Sequence, residues 1–523
     1  MFVDHNRHYA WDKIRRRDFR IFAPILTDQV IAQAAYYAGV SLGGGPLGLV
    51  VLVWLGVNSA LHRDKSFSDL LAFTLKLLRN DPRWSPAKLL PTGAEATPTP
   101  NDREARRAGA RIDKVRSKHD PRGAGDPFKV SDSAFTQARQ AMPWAFWVAL
   151  VAVLAERFEN DHGDLVRFRG FRVLALDGTT LELDRWADLK NRAGAAANGK
   201  ALSSPRARLV LLETPLARLP LHFHLVPYNV GERTAVEPSL DAVRRDDLLL
   251  IDRGFWGAGL FGQILHKEAF FAIRLMSGVT FQTIRRLGAG DLLARWTPTK
   301  RPDDADETTP EWFDLRLIRY QIKGFRPSTL VTSVTDPARI SRAEFIRIAT
   351  VDEAGVVLES GLYHRRWEIE TAFFELKVTQ GMAGSFRSRT TEGIAFEVGG
   401  HLLLYTLIRL LMAEAASAAE ISPLRLSFAA ASGEVKDMGQ SLLRASRRHA
   451  QRILRPRLVE LIGTHRVPFR PGRHYARPND TKPKTDKHGK KQPPHKVDHT
   501  IHKIVMDKGA DEDGSHYSTT CCA

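Results

Sequence analysis

Tyr363-His-Arg-Arg-Trp-Glu-Ile-Glu-Thr-Ala-Phe-Phe-Glu-Leu-Lys377 mixes charged and apolar side chains at a spacing that predicts a helix. At about 100° per residue, Tyr363, Arg366, Glu370 and Lys377 fall within an arc of roughly 60°, whereas Glu368 and Glu375 project to a different side. One stripe then carries a phenol, a guanidinium, a carboxylate and an ammonium, which suits a metal ligand flanked by groups that grip phosphates. A solvated charged face laced with salt bridges is the ordinary alternative for such a helix.

Two aspartates upstream sit in or just after strand-like apolar runs: Asp177 in Leu174-Ala-Leu-Asp-Gly-Thr-Thr180, and Asp252 in Leu248-Leu-Leu-Ile-Asp-Arg-Gly-Phe255. A carboxylate at the end of a buried strand is costly to desolvate without a compensating cation, and Mg2+ is the natural hard partner for oxygen ligands. Asp-Gly is also a common turn dipeptide, and each aspartate taken alone reads more readily as a turn opener.

The runs Phe171–Leu176, Ala207–Glu213, Leu221–Pro227 and Leu248–Ile251 predict the start of a central sheet. Phe270–Leu275, Phe313–Ile322 and Ser328–Thr335, interrupted by an acidic turn around Arg301–Pro310, predict a mostly β insertion. Helical patterning precedes this region, over residues 1–79 and from Ser131, and follows it through 358–377 and 395–416 to about Gly463. The helix starting at Ser131 offers Gln137 and Arg139 as candidate groove contacts, against the plainer reading of an exposed helix with polar residues. Trp256, beside Asp252, is a candidate for stacking on a displaced base, although such a tryptophan more often belongs to a core. His222 and His224 alternate along one strand but lack a third ligand, and are taken as structural.

The 523 residues include 77 Lys and Arg against 59 Asp and Glu, a net charge of +18 that calls for a polyanionic partner, nucleic acid ahead of an acidic membrane. Cys521 and Cys522 are adjacent at the C-terminus, which excludes a disulfide framework. The N-terminus lacks the apolar core of a secretory signal, so a cytoplasmic protein is expected, and the apolar runs Leu47–Val57 and Met142–Ala155 are too short to span a bilayer. Expected boundaries are a helical DNA-binding region with a basic linker over 1–130, a catalytic core split between 131–252 and 358–463, a β-rich insertion over 253–357, and a basic unstructured tail over 464–523.

Taken together, the motifs resemble the DDE transposases of bacterial insertion sequences, in the insertion-sequence-four-like group bearing the Tyr-x2-Arg-x3-Glu-x6-Lys signature. The likeness rests on Tyr363, Arg366, Glu370 and Lys377, on Asp177-Gly178-Thr179, on Asp252-Arg253-Gly254-Phe255 and on the helical His401-Leu-Leu-Leu-Tyr-Thr-Leu-Ile-Arg-Leu-Leu411. It implies an α/β fold: a ribonuclease H-like catalytic core with a β-rich insertion, a helical N-terminal DNA-binding region and a helical C-terminal region. The 118 residues from Asp252 to Glu370 leave room for that insertion. The resemblance further implies that Asp177, Asp252 and Glu370 hold two Mg2+ ions, with Mn2+ as a substitute, and that Tyr363, Arg366 and Lys377 contact DNA, joined here by Arg253 and Trp256. The implied activity is binding of terminal inverted repeats, metal-assisted cleavage at the ends and joining of the 3′-OH to target DNA, by a homodimer on double-stranded DNA. An inactive DNA-binding descendant and a metal-dependent endonuclease without strand transfer are the alternatives.

Overall fold

The computed structural model describes residues 21–41, 47–79, 130–186, 189, 204–299, 309–321, 327–346, 361–384, 386–442 and 449–467. The basic stretches at 1–20 and 80–129, the acidic turn at 301–308 and the tail from 468 onward, with Cys521 and Cys522, lie outside the described residues. The described residues divide into two compact units, one within 21–250, 264–269 and 366–467, the other within 251–263 and 270–365.

In the first unit, strands β1 (Arg167–Phe168), β2 (Phe171–Glu182), β3 (Arg206–Thr214), β4 (Leu219–Pro227) and β5 (Asp247–Ile251) are ordered β4-β3-β2-β5, with β1 paired to β2. The β1–β2, β2–β3 and β3–β4 pairings are antiparallel. The first six residues of β2, eight of nine in β3 and all of β5 are buried. Both faces are therefore covered, which is why these strands read as nearly continuous apolar runs rather than as an alternation. Arg172 is the buried exception in β2, and its guanidinium binds both carboxylate oxygens of Asp247 at 2.7 and 2.6 Å.

Helix Thr391–Ala418 runs through the core of this unit, packed against Leu49–Leu61, Trp144–Asp161 and Arg455–Thr464. It is long and apolar enough to cross a membrane, but 89% of its most apolar stretch is buried inside the protein, as befits a core helix. Residues from Ile21 to Leu71 share one hydrophobic core with Phe396, Leu404 and Ile462. The N-terminal helices are thus part of the first unit's interior rather than a separate region. Arg139 is likewise interior at 6% exposed, its guanidinium 3.7 Å from the Phe67 ring centroid and donating to Ser388 Oγ at 2.7 Å. Burial pushes its pKa down to about 10. It is not a groove contact; Gln137, by contrast, is exposed.

Close approach of Leu49–Leu61 and Thr391–Ala418 depends on glycine. A Cβ on Gly400 would stand 2.5 Å from the Gly56 carbonyl oxygen and 2.7 Å from its carbonyl carbon. Both are backbone atoms, so the helices must part to admit it. Gly400→Ala is expected to lower stability by about 1–3 kcal/mol through overpacking, against the roughly 1 kcal/mol that alanine gains in an open helix. Gly433, in helix Phe428–Leu442, meets nothing within 4 Å, and Gly433→Ala is expected to stabilise by about 0.5–1 kcal/mol. Opposite shifts in Tm from thermal unfolding check the pair; equal shifts would show that the helices part freely.

The second unit is mostly β. Strands β6 (Phe270–Arg274), β7 (Gln282–Gly288), β8 (Asp291–Trp296), β9 (Phe313–Tyr320) and β10 (Ser328–Thr332) are ordered β6-β10-β9-β8-β7, every pairing antiparallel. Its core is aromatic: Phe261 stacks on Phe271 at 4.2 Å between centroids, and Trp296 stacks on Phe313 at 5.4 Å. The first five residues of edge strand β7 are exposed on both faces. No apolar alternation marks it in the sequence.

Candidate active site

Asp177 lies within β2, opposite Leu211 of β3, and the pairing continues without a break to Glu182. Its Asp-Gly pair therefore opens no turn. Gly178 instead makes room for a neighbour: a Cβ there would come within 3.3 Å of Arg208 Cδ, whose stem crosses β2 at this point. Asp177 Oδ1 accepts from the backbone N–H of Gly178 at 2.8 Å, and the side chain stays partly exposed.

The signature segment is helical but not uniformly so. A 3-10 turn spans Leu362–Trp367, an α-helix Glu368–Phe374 and a π-helical turn Glu375–Thr379. The single α-helix expected from the sequence is corrected on this point, and a uniform step of 100° does not describe its two ends. Ile369, Ala372, Phe373 and Leu376 are buried in the first unit's core, leaving Glu370 exposed. Arg366, buried at 6% exposed, extends its guanidinium to both carboxylates: NH2 lies 3.2 Å from Glu370 Oε1 and NH1 3.9 Å from Asp177 Oδ2. Lys377 Nζ donates to Thr179 Oγ1 at 3.2 Å and to the Thr180 carbonyl at 3.0 Å, tying the segment to the strand that carries Asp177.

In the second unit, Asp252 caps the 3-10 turn Arg253–Phe255, accepting from Gly254 N–H at 3.4 Å, with the Arg274 guanidinium 3.7 Å away. Tyr363 is 6% exposed; its hydroxyl donates to the Ile251 carbonyl at 3.2 Å and accepts from Arg274 N–H at 3.1 Å. That phenol holds the backbone beside Asp252 rather than facing solvent. Arg253 is exposed. Trp256, expected as a stacking platform, is corrected to a core residue: it is 3% exposed, with its ring packed edge-on against Phe261, Phe281 and Trp296. The rings of its own neighbourhood occupy the place a base would take. Sequence reasoning passed over Arg274, whose only signal is a lone cation closing the apolar run Phe270-Phe-Ala-Ile.

His222 and His224 are held in the interior by Ser239 and the Ala235 carbonyl. Burial, with His224 alongside, pushes His222 down to about 4, so the imidazole is neutral near pH 7. Among the described residues no three His, Cys, Asp or Glu side chains converge closely enough to hold a metal ion. Asp177 and Glu370 nevertheless suit a hard divalent cation: both offer carboxylate oxygens at a partly exposed position, and a guanidinium already lies between them as positive charge.

Residues 169–407 match the family described as Transposase DDE domain. The matched stretch is a transposase DDE domain, of a family of enzymes that generally use divalent metal ions. The chain is similar to the transposase InsG for insertion sequence element IS4 of Escherichia coli (strain K12), 28% identical over 335 residues that cover 61% of this chain and 70% of that protein. A chain in the cryo-EM structure of the piggyBac transposase synaptic complex with hairpin DNA aligns over 91% of this chain and 88% of its own length, at 11% identity and a TM-score of 0.38.

Proposed function

We propose that this protein is a transposase that binds the terminal inverted repeats of its insertion sequence, hydrolyses phosphodiesters at the ends, and joins the freed 3′-OH to target DNA. The observation that carries this reading is the guanidinium of Arg366 reaching both Asp177 and Glu370, with Lys377 anchored at Thr179 and Thr180 on the same strand. Two carboxylates and two cations in one patch match the charge pattern of a phosphodiester with its divalent ions. Asp177, Asp252 and Glu370 are the residues that would hold two Mg2+ ions, for which Mn2+ substitutes. Such ions, when bound, activate the attacking oxygen and offset charge on the departing one. Arg366 and Lys377 grip non-bridging phosphate oxygens, and exposed Arg253 holds the DNA backbone.

The buried strands of the first unit fit a ribonuclease H-like core formed by 131–252 and 358–463, with 253–357 as its β-rich insertion and 464–523 as a basic tail that holds DNA through charge. Two transposon ends require two active sites, so the working form is a homodimer on double-stranded DNA, acting in the bacterial cytoplasm at the nucleoid. The test incubates purified protein with Mg2+, a plasmid target and DNA ending in the inverted repeats that flank its gene. End cleavage and joined products are expected. Cleavage without joining would mark an endonuclease, and binding without cleavage an inactive descendant; either result overturns the proposal.

A further inference from the structure

Behind the signature helix, on the side away from Glu370, lies a buried ionic cluster. Arg218, in the turn between β3 and β4, donates to Glu368 Oε2 through Nε at 2.8 Å and NH2 at 2.5 Å, and to Glu375 Oε1 through NH1 at 2.8 Å. Glu375 Oε2 in turn accepts from Tyr405 OH at 2.8 Å and from Arg409, both on helix Thr391–Ala418. One guanidinium reaches both Glu368 and Glu375, so these two share a side, whereas Glu370, within the α-helical stretch, lies roughly 160° round from Glu368. Two carboxylates on the back of the helix are thus held by one guanidinium, and the carboxylate on the front is left to the active site.

The backbone of Arg218 adds an independent observation. Its φ is +50°, in the left-handed region that glycine or asparagine enters far more easily. The residue in this conformation is the one whose guanidinium bridges Glu368 and Glu375. The π-helical turn begins at Glu375, the residue the cluster grips, and such turns mark places where a helix is bent to function.

We propose that Arg218 is a positioning residue: by binding Glu368 and Glu375 together it fixes the rotation of helix Glu368–Phe374 and hence the direction of Glu370. This rests on the reading of Glu370 as a metal ligand. Supporting residues of this kind, which orient a ligand without touching the metal, typically change metal affinity by about 10–100-fold when altered.

The test uses the full chain with Mn2+ as the probe, and compares Arg218→Lys, which keeps the charge but loses the fork, with Arg218→Asn, which suits the left-handed turn. Both are expected to weaken Mn2+ binding, measured by electron paramagnetic resonance, by about tenfold or more. Arg218→Lys should also raise the Mn2+ concentration for half-maximal end cleavage, with cleavage recovering at saturating Mn2+. Amide exchange across 368–379 should quicken while that of 391–418 holds. Unchanged Mn2+ affinity and unchanged exchange in Arg218→Lys would overturn the proposal, as would loss of cleavage at every Mn2+ concentration in step with a falling Tm. Glu370→Gln run in parallel separates the two readings. If it binds Mn2+ like the parent protein, the ligand assignment fails, and exchange across 368–379 alone then decides whether Arg218 positions the helix.

Discussion

Glu370→Gln and Asp177→Asn are each expected to slow end cleavage by on the order of a thousandfold while leaving the fold in place. Metal-assisted charge stabilisation amounts to several kcal/mol in the transition state, and each 1.36 kcal/mol is a factor of about ten in rate. Neither change should unfold the protein. Both side chains are partly exposed, at 41% for Glu370 and 25% for Asp177, and each substitution keeps the shape that Arg366 packs against. Glu414→Gln supplies the contrast, since it breaks a partly exposed ion pair with Arg455 far from any proposed ligand, and such pairs contribute at most about 1 kcal/mol. Cleavage rates, with circular dichroism as the folding control, check the set. Glu370→Gln or Asp177→Asn cleaving within tenfold of the parent would remove that residue from the metal site.

What the sequence made legible follows from how local the cause was. Within the strands, the runs Phe171–Leu176, Leu209–Leu212 and Leu248–Ile251 are buried and, Arg172 apart, apolar, and such runs announce themselves. Glu370, Arg366 and Lys377 stand out because they recur at helical spacing on one stripe, apart from the apolar residues that face the core. The π-helical turn at Glu375–Thr379 was not legible. The groups that grip Glu375 are Arg218, Tyr405 and Arg409, which lie 157, 30 and 34 residues away, and no local pattern reports them. The unbroken strand through Asp177-Gly178 misled for a similar reason: Gly178 there serves the passage of Arg208, a neighbour only through β-pairing. Trp256 looked free because the rings that cover it come from Phe281 and Trp296 on a later part of the chain. The helices from Asp28 to Arg79 looked separable because Gly56 says nothing of Gly400 until the two are brought together.

Glu375→Ala is expected to be the most damaging single change to stability in the first unit, at about 3–5 kcal/mol, a large share of the 5–15 kcal/mol typical of a folded domain. Burial pushes the Glu375 carboxyl up, but the guanidinium groups of Arg409 and Arg218, with hydrogen bonds from Arg409 and Tyr405, outweigh it and hold the group below the usual carboxylate range. A carboxyl depressed in the folded state stabilises above its unfolded pKa, and that stabilisation is lost as pH falls through the folded value. The gap between parent and Glu375→Ala should therefore be widest near neutral pH and should shrink in acid. Glu213 behaves in the opposite sense. Fully buried, with neither oxygen hydrogen-bonded, it is pushed well above the usual range, first by burial and then by Glu368 and Glu375, despite Arg218 and Arg409 nearby. The two arginines instead bind Glu375, and Arg218 also binds Glu368. Removing Glu375 takes away the carboxylate that both Arg218 and Arg409 bind, and Arg409 is 1% exposed in its side chain. Breaking one side of such a buried pair strands charge in the interior, which is why alanine here should be far worse than at the exposed Glu370. Urea unfolding at neutral and acidic pH measures the difference, and a loss below about 1 kcal/mol at neutral pH would show that the cluster relaxes around the missing carboxylate.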